Sequence, residues 1–231
     1  MTDLSLPSAV DEVMRGRYSC RAFLPTAVPK PLIEEILSVA SRAPSGTNIQ
    51  PWKVSVLTGD SKARLSERIV AAFDDPEEAA THSDCYQYYP SKWQSPYIDR
   101  RRAVGLALYQ LLGIAKGDAK RMHEQHARNF RFFDAPVGLI FTIDTIMAQG
   151  SYLDYGMLLQ NVMLAAKARG LDTCPQAAFL QFHRIIRDEL QLPENETVVC
   201  GMALGYADPN APENALRTER APLAEWVRFT E

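Results

Sequence analysis

The sequence predicts an α+β fold, a single domain over residues 1–231 with a small sheet among many helices. Helical periodicity recurs along most of the chain, giving roughly seven helices against roughly three or four strands. The strands do not alternate regularly with helices, so a doubly wound parallel sheet is not indicated. No repeat or linker-like stretch divides the 231 residues, a length that suits one large domain.

In chain order, "PSAVDEVMRGR" places Val10, Val13 and Met14 at helical spacing behind Pro7 and Ser8 and reads as a short helix. "YSCRAFLPTAVP" is extended and closed by prolines. "PKPLIEEILSVASRA" gathers Leu32, Ile33, Ile36, Leu37 and Ala40 on one face. It must stop near Ala43, because the residue before Pro44 is pushed out of helical space. "WKVSVLTGD" alternates like a strand, and "SKARLSERIVAAF" is a second amphipathic helix. Residues 75–97 are acidic, then rich in aromatics and prolines, with no clear period; this reads as a long insertion, of the kind that forms lids or binding loops. Helical patterns resume in "IDRRRAVGLALYQLLGIAKG" and "DAKRMHEQHARNFRFF", followed by a buried strand in "APVGLIFTID". "SYLDYGMLLQNVMLAAKARG" is apolar almost all round, so it should be a helix buried on several sides and closed at Gly170. "LDTCPQAAF" reads as extended and irregular, "HRIIRDELQL" as a helix and "TVVCGMALGYA" as a buried strand. The tail from residue 208 is loose in pattern, yet it carries Leu216, Leu223, Trp226, Val227 and Phe229. Leaving those in water is costly, so the tail should wrap another surface, such as a partner subunit.

Composition excludes several classes. Hydrophobic residues make up 46% and charged residues 23%, with a net charge of −3. This is the balance of a globular protein in water, and it argues against a nucleic-acid binder that relies on neutralising phosphates. The start lacks the basic and apolar regions of a signal peptide, and no apolar run approaches the ~20 residues needed to cross a bilayer. The four cysteines, Cys20, Cys85, Cys174 and Cys200, form no C-x-x-C pair; they read as reduced thiols in a cytoplasmic protein. G-x-G-x-x-G, G-x-x-x-x-G-K-[ST] and G-x-S-x-G are all absent. His123 and His126 share "HEQH" but are three apart and lack a third ligand, so no metal site is assigned.

Two stretches carry the chemistry. In "RYSCRAF", an extended segment points alternate side chains one way, so Arg17, Ser19 and Arg21 converge as two guanidiniums and a hydroxyl. That row suits a phosphate; a solvated strand edge is the alternative. "APSGTNIQPW" places small hydroxyls, a glycine and two amides between a helix and a strand, which is either an ordinary loop or a cradle for something flat and polar.

Together with "CPQAAF" and "LRTERAPL", these stretches resemble the nitroreductase family of FMN-dependent oxidoreductases, from about residue 10 to residue 229 and in the family's order. The resemblance implies a mostly antiparallel central sheet surrounded by helices. It also implies an obligate homodimer with FMN at the subunit interface, and a C-terminal arm, residues 208–231, that crosses to the partner. It assigns the FMN phosphate to Arg17 and Ser19, with Tyr18 contributing beside it through backbone and Arg21 at the pyrimidine edge. Pro44, Ser45, Gly46 and Asn48 would come from the other subunit to line the flavin and its ribityl chain. Pro175 and Gln176 would pack on the ring, and the N–H near Ala177 would face N5. Arg220, with Arg217 as a helper, would close on the phosphate. Gln160 would touch the ribityl chain or lie in the dimer seam. NAD(P)H would be a transient co-substrate in a ping-pong cycle, and no catalytic side chain is named, because the cofactor does the chemistry.

The acceptors implied are nitroaromatics, nitrobenzoates among them, or quinones. Reductive dehalogenation, flavin breakdown and a non-enzymatic flavin-binding dimer are the alternatives on this scaffold. Tyr86, Tyr88, Tyr89, Trp93 and Tyr97 of the insertion would cap the flavin and stack on substrate, or pack only on themselves. One of Arg100, Arg101 and Arg102 would pair with a substrate carboxylate, or all three are a solvated helix start.

Overall fold

The computed structural model describes residues 5–230; residues 1–4 and 231, inside the expected domain bounds, lie outside the described residues. Four strands, β1 (Trp52–Thr58), β2 (Val137–Asp144), β3 (Asp172–Gln176) and β4 (Glu196–Gly205), form one sheet in the order β1-β2-β4-β3. Every neighbouring pair is antiparallel, the arrangement the resemblance implied.

The helices are α1 (Leu6–Gly16), α2 (Lys30–Ala40), α3 (Gly59–Asp74), α4 (Pro76–Ala79), α5 (Tyr97–Leu111), α6 (Ala119–Ala127), α7 (Gln149–Lys167) and α8 (His183–Glu189). They cover both faces of the sheet, and the two-residue period of β2 shows how. Leu139, Phe141 and Ile143 pack with Ile33 and Ile36 of α2 and with Leu158 and Val162 of α7. Ile140 points the other way, into a cluster with Leu65 and Ile69 of α3 and Ile185 and Ile186 of α8. Tyr155 fastens α7 to the sheet. Its hydroxyl lies 2.8 Å from the carbonyl oxygens of both Lys53 and Thr142, and it accepts the Lys53 N–H at 3.2 Å. The buried hydroxyl is thereby satisfied; left without partners it would cost about 1–3 kcal/mol.

Two glycines, Gly138 of β2 and Gly201 of β4, set the packing on one face of the sheet. A Cβ on Gly201 would fall 2.3 Å from the Phe179 ring, and one on Gly138 would fall 2.7 Å from Phe132. Those two rings stack with centroids 4.6 Å apart. The glycines therefore admit an aromatic pair directly against the strands, and Phe179 in turn seats the turn that follows β3.

Several expectations change. The helix expected over 118–133 ends at Ala127, and residues 128–134 form a 3-10 turn in which Phe132 and Phe133 have φ of 55° and 52°. Phe130, Phe132 and Phe133 are all buried, and the left-handed backbone at Phe132 and Phe133 replaces the helix in the segment that carries them. The helix from residue 98 ends at Leu111 and gives way to a turn with Gly113 and Gly117 at positive φ. "LDTCPQAAF" is a regular edge strand and a 3-10 turn; Pro175 is tolerated because β3 is an edge. α7 is not buried on several sides within one chain. Asp154, Tyr155, Leu158 and Val162 face inward, while Gly156 and Gln160 are open and Leu153 is 73% exposed. In the 75–97 segment, Asp75 caps α4 by accepting the N–H groups of Glu77 and Glu78, and the chain then runs irregularly along the sheet edge.

Candidate functional site

The segment after α1 is held between β3 and the tail. Ser19 bridges Thr173 in a parallel pair, and the Cys20 N–H donates to the Thr173 carbonyl at 3.0 Å. On the other side, Asn214 accepts the Arg21 N–H at 2.8 Å and donates to the carbonyls of Ala22 and Asp208 at 2.7 and 2.9 Å. The backbone of 17–21 is thereby fixed, and its arginine side chains are left free of acids.

These side chains converge as the spacing suggested. The Arg17 guanidinium is pushed down from its ordinary pKa first by burial and then by the cation of Arg220. Arg21, Ser19 and Arg17 all bear on the Cys174 thiol, which burial nevertheless pushes up to about 11. Arg21 also donates to the Ser19 carbonyl at 3.2 Å. Arg217 lies with its guanidinium carbon 3.9 Å from the centre of the Tyr18 ring. Arg220 donates to the Thr218 hydroxyl and to the carbonyls of Thr218 and Glu219. Among the described residues, none of Arg17, Arg21, Arg217 and Arg220 pairs with a carboxylate, whereas Lys167 beside them is paired with Asp172 at 2.9 Å. Like charges gathered without a counter-ion mark an anion site.

Next to this cluster lies a cavity of about 670 Å³ lined by Tyr86, Tyr88, Tyr152, Leu159, Pro175 and Val199, among others. It is mostly apolar and of a size that holds a small ligand. Tyr86 is oriented by a hydrogen bond from its hydroxyl to the Val199 carbonyl at 2.7 Å. Of the β3 residues only Pro175 is exposed, and it faces this space; Gln176 beside it is buried, and its Nε2 donates to the Asn129 carbonyl at 2.7 Å. The Gln176 Oε1 and the Thr173 hydroxyl are buried without partners. Ala177 opens a 3-10 turn, so its N–H has no acceptor within that turn. The Cys200 thiol, on the same cavity wall, is pushed up to about 12 by burial.

The loop carrying Pro44, Ser45, Gly46 and Asn48 is a built structure. Thr47, Asn48 and Gln50 all hold left-handed φ, at 48°, 62° and 48°. Such strain costs on the order of 1–2 kcal/mol per residue and persists only where the surroundings impose it. Asp154 imposes part of it, accepting the Gly46 N–H at 3.2 Å, and the Gln50 N–H donates to the Ser45 hydroxyl at 3.0 Å. This loop does not line the cavity beside Pro175. Pro44 and Gln160 instead share a shallow groove of about 490 Å³ on the open face of α7, with Tyr152 and Gly156 lying between it and the larger cavity.

Asp154, Asn214 and Asn129 were not singled out in the sequence. Asp154 left a signal, an acid inside an otherwise apolar helix; the two asparagines left none, because their partners are far away in the chain.

The sheet, the uncompensated cations and the adjoining apolar cavity define a protein built to hold a flat, anionic ligand. The chain belongs to the nitroreductase family, whose model matches residues 14–206. It is 44% identical over 219 residues to a 4-nitrobenzoate reductase of Pseudomonas putida, covering 95% of this chain and 94% of that protein. It is 40% identical over 220 residues to a nitrobenzene nitroreductase of Ectopseudomonas oleovorans, covering 95% and 96%. Its fold superimposes with a TM-score of 0.92 on the crystal structure of the FMN-dependent nitroreductase NfnB from Mycobacterium smegmatis in complex with NADPH, at 32% identity and covering 98% and 100% of the two chains.

Proposed function

We propose that this protein is an FMN-dependent oxidoreductase that takes electrons from NAD(P)H and delivers them to nitroaromatic acceptors, with quinones as a second acceptor class. The observation that carries the reading is the gathering of Arg17, Arg21, Arg217 and Arg220 around Tyr18 and Cys174, none of them paired with a carboxylate among the described residues. A phosphate dianion supplies the missing charge. The donor set fits FMN: Arg17, Ser19 and Arg220 for the phosphate, Arg21 for the electron-rich pyrimidine edge, and the cavity against Pro175 for the ring. The buried, unpartnered Thr173 hydroxyl and Gln176 Oε1 lie on the same strand. The names of the relatives supply the redox class.

When bound, FMN carries the two-electron chemistry, so that ArNO2 + NAD(P)H + H⁺ gives ArNO + NAD(P)⁺ + H2O. The residues of the chain bind and orient. Arg21 favours negative charge at the pyrimidine edge, the Ala177 N–H offers a donor toward the ring, and the apolar walls Leu159 and Val199 exclude water. One cavity serving donor and acceptor in turn makes the cycle ping-pong.

The functional unit is a homodimer in this reading. Leu153 on α7 is 73% exposed, and Trp226 and Phe229 in the tail are 69% and 87% exposed, a combined apolar surface that a partner would cover. The loop at 44–48 then completes the partner's site. Four free cysteines suit the reducing cytoplasm, and among the described residues no helix is long and apolar enough to cross a membrane. The test is the absorbance spectrum of the purified protein, then anaerobic titration with NADH and NADPH. A flavin spectrum bleached by either nucleotide and restored by a nitroarene is expected; colourless protein, or flavin that neither nucleotide bleaches, overturns the reading.

A further inference from the structure

Of the three consecutive arginines at the start of α5, the structure distinguishes one. Arg100 is committed to Glu225, at 2.8 Å. Arg102 lines none of the cavities described here. Arg101 lies with its guanidinium carbon 4.8 Å from the Trp93 ring centre and 5.6 Å from that of Tyr89. Two aromatic faces from the irregular 80–96 segment thus hold it, and its N–H donors form no hydrogen bond or ion pair among the described residues. Arg101 lines a second cavity, of about 380 Å³, whose charged lining is Arg21, Arg101 and Asp84, with His126, Tyr88, Tyr89 and Cys174 the other titratable groups. Tyr88, Pro175, Gln176 and Ala177 line this cavity and the larger one alike. The two cavities are therefore continuous, and an acceptor stacked on a flavin ring held against Pro175 can extend to Arg101.

We propose that Arg101 is the specificity residue for a carboxylate on the acceptor, so that carboxylated nitroarenes are the substrate class this pocket selects. The inference rests on the nitroreductase reading above. A guanidinium held by ring faces keeps its forked N–H edge for a planar anion, and a carboxylate matches that edge with two parallel hydrogen bonds. Tyr88 and Tyr89 stand in the same cavity and offer surfaces for the arene. Asp84, the acid of the cavity, disfavours the ligand carboxylate; with Arg21 turned toward the 17–21 cluster, Arg101 is the cation that offsets it. Sequence identity leaves this undecided, since the chain is nearly as similar to a reductase named for neutral nitrobenzene as to one named for 4-nitrobenzoate.

The experiment compares 4-nitrobenzoate with nitrobenzene, in wild type, Arg101→Gln and Arg101→Lys, as FMN-loaded enzyme. In the wild type, kcat/KM should favour 4-nitrobenzoate. Arg101→Gln should lower the ratio of kcat/KM for 4-nitrobenzoate over nitrobenzene about tenfold or more, mainly through KM. Arg101→Lys should restore it only in part, because an ammonium keeps the charge and loses the fork. FMN content and circular dichroism report that the variants are folded. A parallel fall with both acceptors overturns the proposal. So does a defect confined to flavin reduction by NADPH, absent with NADH, which would assign Arg101 to a nucleotide phosphate. Wild type that reduces neither nitroarene defeats the parent reading itself, an outcome separate from a wild type active on both without preference.

Discussion

The Asp154 carboxylate, buried in α7, accepts the Gly46 N–H at 3.2 Å across 108 residues of sequence. The loop it holds keeps three side-chain-bearing residues in left-handed backbone, which would relax without such a tether. Asp154→Ala should therefore release the 44–50 loop, weaken FMN binding about tenfold and cost about 1–3 kcal/mol of stability. Flavin dissociation and thermal melting measure the two effects. Asp154→Asn keeps an acceptor and should lie between. Unaltered flavin affinity in Asp154→Ala would remove the loop from the site.

Arg17→Ala should weaken FMN by more than ~1.5 kcal/mol, since the lost contact is charge-assisted. Riboflavin, which lacks the phosphate, should bind wild type and variant alike. Fluorescence titration of both ligands against both proteins separates a phosphate contact from general damage; equal losses for the two ligands would contradict the assignment.

Gly201→Ala places a methyl group where the Phe179 ring stands, 2.3 Å from the nearest ring carbon. Overpacking of this kind typically costs about 1–3 kcal/mol. Phe179 closes the turn that begins at Ala177, so displacement should also perturb the flavin absorption envelope. A variant as stable as wild type, with an identical spectrum, would contradict this packing.

Cys174 and Cys200 have thiols raised from 9.0 to about 11 and about 12 by burial. Above pH 9 the unfolded chain gives up these protons while the folded chain retains them. The folded state is then disfavoured, and stability falls as pH rises from 9 through 11. Replacing both with alanine should flatten that alkaline limb in denaturant titrations. At pH 7.5 both thiols should resist alkylating reagents until the protein is unfolded.

The tail divides in two. Asn214 ties residues 208–217 to their own chain, while Leu223, Trp226 and Phe229 stand exposed beyond it. Deleting residues 222–231 should yield soluble chains that dissociate at micromolar concentration and lose flavin. Deleting from Asn210 should give insoluble or flavin-free protein, because Asn214 and Arg220 go with it. Sedimentation velocity distinguishes the two; a stable, flavin-loaded dimer of the shorter deletion would exclude this arm from the interface.

Periodicity in the sequence sufficed for α2, α3 and β1, and short apolar runs bounded by turn residues sufficed for β2 and β4, which are buried on both faces. It failed at residues 128–134, where adjacent phenylalanines are buried by left-handed backbone that no hydrophobic pattern encodes. β3 was unreadable as a strand because Pro175 interrupts it, and only its edge position makes that harmless. At the candidate site, Arg17, Ser19 and Arg21 were legible because an extended segment brings alternate residues together. Arg220 was legible through family resemblance alone. Asn214 escaped notice, since its function as a clamp exists only once the tail has folded back. Among Arg100, Arg101 and Arg102, sequence could not choose; the distinction comes from Glu225 and Trp93, each remote or irregular in the chain.

The separation of the 44–48 loop from the Arg17 cluster within one chain has a genetic consequence. In the proposed dimer, each flavin takes its phosphate clamp from one subunit and its loop from the other. An Arg17→Ala chain paired with an Asp154→Ala chain would then concentrate both lesions in one site and leave the second wholly wild type. Two parents of weakened flavin affinity, unfolded together and reassembled, should regain wild-type affinity at about a quarter of the sites, since about half of the random dimers are mixed. Such complementation between defective alleles would appear in a cell expressing both, and would be absent if each chain built its site alone.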